Sequence, residues 1–317
     1  MKATARTLAE IEADLRDTSG FLADGEDSYV PSFWNGLFRS GQEPKSIRTP
    51  QEFTGGESVA IACTQLDMPP RQQQRLVDEW CEAIPRLEGV RRLWFNSRTS
   101  QAMFEAACRL PTLESLSIKW SGIRDLGALA HLPRLRHLHV GQSGAVESLE
   151  PLGGLHGLRW LQVEGTTKAP SIEPLGRLTQ LEGLGLVGSD GKAMTVPSFE
   201  PLSALTALTW FHLGAMRAAD GSLRPLAALR NLQWLGLPNW FAMPEYAWLA
   251  TRLPGTRCDQ LQPFMRFHPS VFRCPTCKTR GRVMTCGKGS KLLCPHCDTR
   301  KLAQHVFAFE QAASAGA

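Results

Sequence analysis

The chain has 317 residues, 43% of them hydrophobic and 21% charged, which is typical of a folded globular protein rather than a disordered chain. It contains no run of 18 apolar residues, and its charged N-terminus lacks the apolar core of a secretory signal, so we expect a cytoplasmic protein without a membrane span. The net charge of +5 is uneven, because residues 265–301 hold nine Lys or Arg and one acidic residue.

Residues 1–56 are predicted to form an N-terminal extension. A short helix is expected over residues 5–17, and the stretch after it is rich in Gly, Ser, Pro and Asp. Within that stretch, residues 29–38 (YVPSFWNGLF) are too aromatic for a simple linker. We therefore expect the extension to pack over the N-terminal end of the next domain.

Residues 57–110 are predicted to form divergent βα units that cap a repeat array. Residues 57–64 and 90–96 favour strands. Between them, residues 69–87 favour a helix, because proline occupies its start and apolar residues recur at helical spacing.

Residues 111–262 contain internal repeats of 22 to 27 residues, each starting with the pattern x-x-L-x-x-L-x-L. The repeats begin at Pro111, Pro133, His156, Thr179, Thr206 and Arg230. In each repeat, two apolar residues separated by one position, such as Leu138 and Val140, point the same way from a short strand. Later leucines return the chain through a helical or 3₁₀ turn. The predicted fold class is therefore α/β, a solenoid whose parallel sheet forms the concave side. An insertion (SDGKAM) in the 27-residue repeat is expected to be a loop.

The run from Ile172 to Leu181 (IEPLGRLTQL) resembles the leucine-rich repeats of bacterial internalins, and the resemblance extends over about half the chain. It implies a solenoid that recognises other proteins. The sequence departs from that family after each strand, where the usual asparagine is replaced by Gln142, Gly165 or Gly188.

Side chains facing away from the leucine core would form the concave surface. Candidate partner-binding residues there are Trp94, His137, His139, Trp160, Trp210, His212 and Trp234. With strands ~4.8 Å apart, Trp160 and Trp210 would stand ~10 Å apart across a floor of Gly183 and Gly185. Aromatic walls around such a floor suit an inserted side chain or peptide, because tryptophan is enriched in binding hot spots.

Other interpretations of this surface stay open. The tryptophans could be covered by the protein's own chain, or they could have no role. The histidines are expected to be exposed hydrogen-bonding groups, because His139 and His212 would lie ~14 Å apart, too far to share a metal.

Residues 263–317 hold the strongest chemical signal, the two pairs Cys274/Cys277 and Cys294/Cys297 separated by sixteen residues. Four thiolates at this spacing match a structural Zn²⁺ site, and the intervening segment has a hairpin signal at Gly287-Lys-Gly-Ser290. The arrangement resembles a zinc ribbon, followed by a predicted helix at residues 301–312. An odd count of nine cysteines favours a reducing compartment over a disulfide framework.

No catalytic motif is present, so the sequence predicts a recognition module that binds a protein or peptide and is not an enzyme. An immunity-type inhibitor of a toxin or effector is one version of this function. A nucleic-acid-associated adaptor is the alternative, because the basic ribbon could contact phosphates weakly.

Overall fold

The computed structural model describes residues 6–16, 43–189, 193–267, 272–279 and 281–315. The α-helices are α1 Leu8–Arg16, α2 Pro70–Ala83, α3 Gln101–Cys108, α4 Met243–Arg252 and α5 Thr299–Ala315. The strands are β1 Ser58–Ile61, β2 Arg92–Phe95, β3 Ser115–Ile118, β4 His137–Val140, β5 Trp160–Glu164, β6 Gly183–Val187, β7 Met194–Val196, β8 Trp210–Gly214, β9 Met216–Ala218, β10 Trp234–Gly236, β11 Phe264–Arg266, β12 Val283–Thr285 and β13 Leu292–Leu293. The chain forms two compact units, one of Pro31–Ala219 and one that joins Met1–Val30 to Asp220–Ala317.

The Pro31–Ala219 unit is a leucine-rich-repeat solenoid, as predicted. Its main sheet has the parallel order β1-β2-β3-β4-β5-β6-β8. Each strand pairs with the next at an offset of one repeat, so that Leu116 lies beside Leu138 and Leu138 beside Leu161. These leucines are fully buried and form one continuous core, because a single repeat is too small to bury them alone.

The returning segments are five-residue 3₁₀ helices, for example Glu150–Gly154 and Glu173–Arg177. Hydrogen bonds link Leu152 N–H to Leu149 O at 3.0 Å and Leu155 N–H to Leu152 O at 2.9 Å. A 3₁₀ helix has three residues per turn, so leucines spaced by three all face the core. This explains why leucine recurs at every third position here.

Hydroxyl side chains occupy the turns after several strands, one position beyond Gln142 and Gly165, the residues predicted to replace the usual asparagine. The hydroxyls of Ser121 and Ser143 lie 2.6 Å apart, and Ser143 donates to the Gly141 carbonyl at 2.8 Å. Ser143 and Thr166 are buried at equivalent positions of successive repeats. The contacts of Ser121 and Ser143 help to satisfy backbone groups at the turns that follow β3 and β4.

The insertion in the 27-residue repeat (residues 189–194) was expected to be a loop, and of its described residues only the last, Met194, belongs to a strand. Residues 190–192 lie outside the described residues. After them, β7 pairs in parallel with β9 in a separate two-stranded sheet, with Met194 beside Met216. Met194 and Val196 are buried whereas Thr195 is exposed, so this short segment alternates as a half-buried strand should.

Strands β1 and β2 and helix α2 lie within the ranges predicted for them, and each is shorter than its predicted range. Helix α2 buries Leu76, Val77 and Trp80, and it continues into a 3₁₀ turn at Ile84–Arg86. The Trp80 indole N–H donates to the Arg48 carbonyl at 2.7 Å, which ties the segment before β1 to this helix.

The second unit joins both ends of the chain. Strands β11, β12 and β13 form an antiparallel sheet. Ile11 and Leu15 of α1 share a core with Val283, Leu302 and Val306. Helix α1 therefore packs on the C-terminal module, which differs from the expectation that the whole N-terminal extension covers the end of the repeats. The aromatic stretch 29–38 lies outside the described residues.

Among the residues described, no helix combines the length and apolarity required to cross a membrane.

Candidate recognition face and metal centre

The face of the main sheet opposite the leucine core carries the predicted partner-binding residues except Trp234, and we call it the strand face. One row runs Arg92, Ser115, His137, Trp160, Gly183 and Trp210. The neighbouring row runs Trp94, Ser117, His139, Gln162, Gly185 and His212. This register is the one predicted from the repeats.

The expected gap between Trp160 and Trp210 is closed. The centroids of the two rings lie 6.0 Å apart, instead of the ~10 Å that strand spacing alone predicts. The Trp160 ring leans across β6, and a Cβ on Gly183 would overlap with it. Similarly, a Cβ on Gly185 would lie 3.0 Å from Cγ of Gln162. The two glycines therefore make room for side chains of β5 rather than leaving an open floor.

Trp210 and His212 extend this contact into an aromatic cluster. Their ring centroids lie 6.1 Å apart, and Trp210 is 7% exposed. Trp160 and His212 are half-buried, so part of each ring still reaches solvent. Burial lowers the pKa of His212, while the nearby Glu164 carboxylate acts in the opposite direction.

A polar network lies beside the aromatic cluster. Nδ1 of His139 is 3.3 Å from the Ser117 hydroxyl, and its Nε2 is 3.3 Å from a Glu164 carboxylate oxygen. The Gln162 amide donates to the same carboxylate. His139 is fully buried, which corrects the expectation of an exposed histidine, and burial lowers its pKa although Glu164 opposes the effect.

Glu164 was not among the candidate residues predicted from the sequence. It is the last residue of β5, which is one residue longer than β4. Continuing the alternation from Trp160 and Gln162 would have placed its side chain on the strand face.

The remaining candidates lie in different surroundings. Trp94 is 1% exposed and His137 is half-buried, with its pKa lowered by burial. Trp234 belongs to the other unit, where the Arg257 guanidinium stacks 4.4 Å from the centre of its ring.

The four cysteines of the C-terminal module converge as the sequence predicted. Their sulfur atoms all lie within 4.8 Å of one another. Cys274 and Cys297 have their Sγ atoms 3.8 Å apart, and Cys277 and Cys294 have theirs 3.6 Å apart. A tetrahedral ion with bonds of ~2.3 Å separates its sulfur ligands by ~3.8 Å, so this spacing fits a metal site.

Contacts within the cluster shift the pKa values of its thiols in both directions. The pKa of Cys277 is lowered to about 6, chiefly by a hydrogen bond with the Thr279 hydroxyl, and backbone N–H of Cys277 lowers that of Cys274. The pKa of Cys297 is instead raised to about 12, first by its contact with the Cys277 thiol. Four thiolates this close repel one another, and a bound divalent cation would relieve the repulsion.

Cys286 lies outside this cluster. It is buried, and its thiol donates to the Gln260 carbonyl at 3.0 Å. Across the described ranges, the only group of three or more His, Cys, Asp or Glu close enough to hold a metal is the four-cysteine cluster.

No family model matches the sequence, and no curated protein matches it. Among solved structures, internalin C2 of Listeria monocytogenes is similar, with 21% identity over 50% of this chain and 64% of that chain and a TM-score of 0.38. A leucine-rich-repeat protein of Leptospira interrogans is 12% identical over 67% of this chain and 51% of that one, with a TM-score of 0.46.

A plant peptide hormone receptor, RGFR1 in complex with RGF2, is 17% identical over 49% of this chain and 25% of that chain, with a TM-score of 0.38. The chain thus spans less than two thirds of the length of each of these proteins. The strand register, the leucine core and the returning 3₁₀ helices of this chain establish its fold without these similarities.

Proposed function

We propose that the strand face binds a protein or peptide and that the chain acts as a recognition module without enzymatic activity. The observation that carries this proposal is the cluster of Trp160, Trp210 and His212, which places aromatic surface next to the His139–Glu164 pair. Tryptophan buries a large apolar area with few rotatable bonds, and clusters of this kind dominate many protein interfaces.

The residues divide into two roles in this proposal. Trp160, His137 and His212 keep part of their surface exposed and would contact the partner. Trp94, His139 and Trp210 lie below the surface and would hold the contacting side chains in place. Such preorganisation favours binding because less side-chain freedom is lost.

Affinity capture with quantitative cross-linking tests the proposal. Trp160→Ala should reduce recovery of a specific partner by about tenfold or more, the size expected for a hot-spot residue. Trp120→Ala is the matched control, because it removes the same side chain from a 37% exposed position outside the strand face. Near-UV circular dichroism should confirm that both variants are folded. Equal recovery with wild type and Trp160→Ala, or equal loss in both variants, would argue against the proposal.

The metal of the C-terminal module is proposed to be a structural Zn²⁺ held by Cys274, Cys277, Cys294 and Cys297. Four protein sulfurs complete a tetrahedron and leave no position for a reacting water. Native mass spectrometry should find one zinc per chain, and Cys294→Ser should lose it whereas Cys286→Ser should keep it. This site and the nine free cysteines favour a reducing compartment such as the cytoplasm.

A nucleic-acid adaptor is the second candidate, favoured by the exposed basic residues Arg273, Lys278, Lys288, Lys291 and Arg300. Binding of this kind weakens steeply with salt, because cations released from the nucleic acid drive it. A titration of the protein with single-stranded DNA at several salt concentrations measures that slope. A flat response would remove this candidate.

A further inference from the structure

A cavity of about 300 Å³ lies in the C-terminal unit, apart from both the strand face and the four-cysteine cluster. It is open to solvent on one side and is lined by the β12–β13 hairpin, the first residue of α4 and residues of α5. Thr285, Cys286 and Leu293 are buried in its wall, while Lys288, Lys291 and Lys301 are exposed around it.

The hairpin wall is held in place by hydrogen bonds to the segment before α4. Gly287 N–H donates to Oδ1 of Asn239 at 2.6 Å, and Lys288 N–H donates to the Phe241 carbonyl at 2.7 Å. Gly287 has a φ of +100°, and a Cβ there would lie 2.7 Å from Cβ of Met243. Glycine is therefore required for the turn to approach α4 this closely.

The charge around the cavity has one sign. Among the described residues that line it, three are lysines and none is acidic. Lys301 pairs with Asp298 at 3.0 Å, but its side chain is 71% exposed, so this contact contributes little to stability and the ammonium remains able to bind an anion. Lys288 and Lys291 are exposed, and no carboxylate is among the lining residues that the structure describes.

The remaining polar groups are neutral. Ser290 and Gln304 line the cavity and can donate hydrogen bonds. His305 is 2.9 Å from the Pro263 carbonyl through Nε2, so that nitrogen donates its proton, and burial lowers the pKa of the ring. The lining therefore combines three lysines with neutral hydrogen-bonding groups, and Asp298, the partner of Lys301, is not part of it.

We propose that this cavity binds the phosphate group of a small phosphorylated molecule, with Lys288, Lys291 and Lys301 as its cationic ligands. Ammonium groups are common phosphate ligands in proteins, and a dianion matches a site with several cations and no carboxylate. The volume suits a phosphoryl group on a small organic moiety, at the lower end of the range for ligand pockets. This site is independent of the proposed protein-binding role of the strand face.

Titration calorimetry on the zinc-loaded full chain tests the site, with inorganic phosphate and phenyl phosphate as probes. One probe should bind per chain and should raise the melting temperature as its concentration increases. Lys288→Gln/Lys291→Gln should weaken binding by about tenfold or more, because two charge-assisted contacts are lost. The control is Arg273→Gln/Arg300→Gln, which removes two charges from the same module outside the cavity and should change binding less than about twofold.

Equal weakening in the two double variants, or no binding of either probe, would overturn the proposal. A third arm uses oligothymidylate without a terminal phosphate. If this oligonucleotide binds and both double variants lose it equally, the basic residues act as a general nucleic-acid surface, and the cavity proposal also fails. Far-UV circular dichroism on each variant shows whether the exposed lysine substitutions leave the fold intact.

Discussion

Substituting Gly183 by alanine should displace Trp160 and disturb the centre of the strand face. In the present structure a Cβ at this position would lie 2.6 Å from Cδ2 of Trp160 and still closer to two other ring atoms. Ordinarily, alanine in place of a strand glycine stabilises by about 0.5–1 kcal/mol, because the unfolded chain loses freedom. Here the indole must move away from Trp210, which costs ~0.5–1.5 kcal/mol for the aromatic pair and ~1–3 kcal/mol for overpacking. We expect a net loss of about 0.5–4 kcal/mol in the free energy of unfolding.

A double-mutant cycle measured by urea unfolding isolates this effect. In a Trp160→Ala background, Gly183→Ala should stabilise by about 0.5–1 kcal/mol, which gives a coupling energy of about 1.5–4.5 kcal/mol between the two sites. Gly154→Ala is the control, because Gly154 is exposed and a Cβ there would have no atom within 4 Å. If Gly183→Ala costs the same with and without the indole, the packing of Trp160 over β6 is not as described.

Three further predictions concern stability, the metal and pH. Ile11→Ala should destabilise the C-terminal unit by about 2–5 kcal/mol, because Ile11 is 1% exposed in the core that α1 shares with α5. Hydrogen exchange of the α5 amides would measure this loss of stability. A zinc chelator, or Cys294→Ser, should lower hydrogen-exchange protection in β12 and β13 while the repeats keep theirs, since metal binding supplies much of the folding free energy of such modules. Burial lowers the pKa of His139 in the folded state, so below pH ~6.5 the unfolded chain binds a proton that the folded chain does not. The free energy of unfolding should therefore be constant above pH ~6.5. Below that pH it should fall by up to ~1.4 kcal/mol per pH unit. His139→Asn should reduce that slope, and an unchanged slope in urea unfolding between pH ~7.5 and ~5.5 would contradict the assignment.

The repeating part of the fold was predictable because its signals are local and periodic. Leu138 and Val140 alternate as a strand requires, and leucines at every third position mark the 3₁₀ returns. Each strand pairs with the next one along the chain, so the register follows from aligning the repeats. The convergence of the two cysteine pairs was also predictable from the sequence, because two C-x-x-C motifs at this spacing can bind one metal ion.

Side-chain packing on the strand face was not predictable to the same degree. Strand spacing fixes the Cα positions of Trp160 and Trp210, but side-chain torsion angles decide where the rings lie, and Gly183 allows one ring to lean across its strand. The contact of α1 with α5 was not predicted, because it joins residues from opposite ends of the sequence. No repeated sequence pattern indicates that the two helices pack together.

The shared core of α1 and α5 makes the second unit discontinuous in sequence, since the solenoid unit lies between its two parts. During synthesis the solenoid is complete before the last helix is made, whereas α1 must wait for that helix to leave the ribosome. Cotranslational folding should therefore proceed from the inserted repeats outward, and the earliest helix of the chain should be among the last to acquire protection.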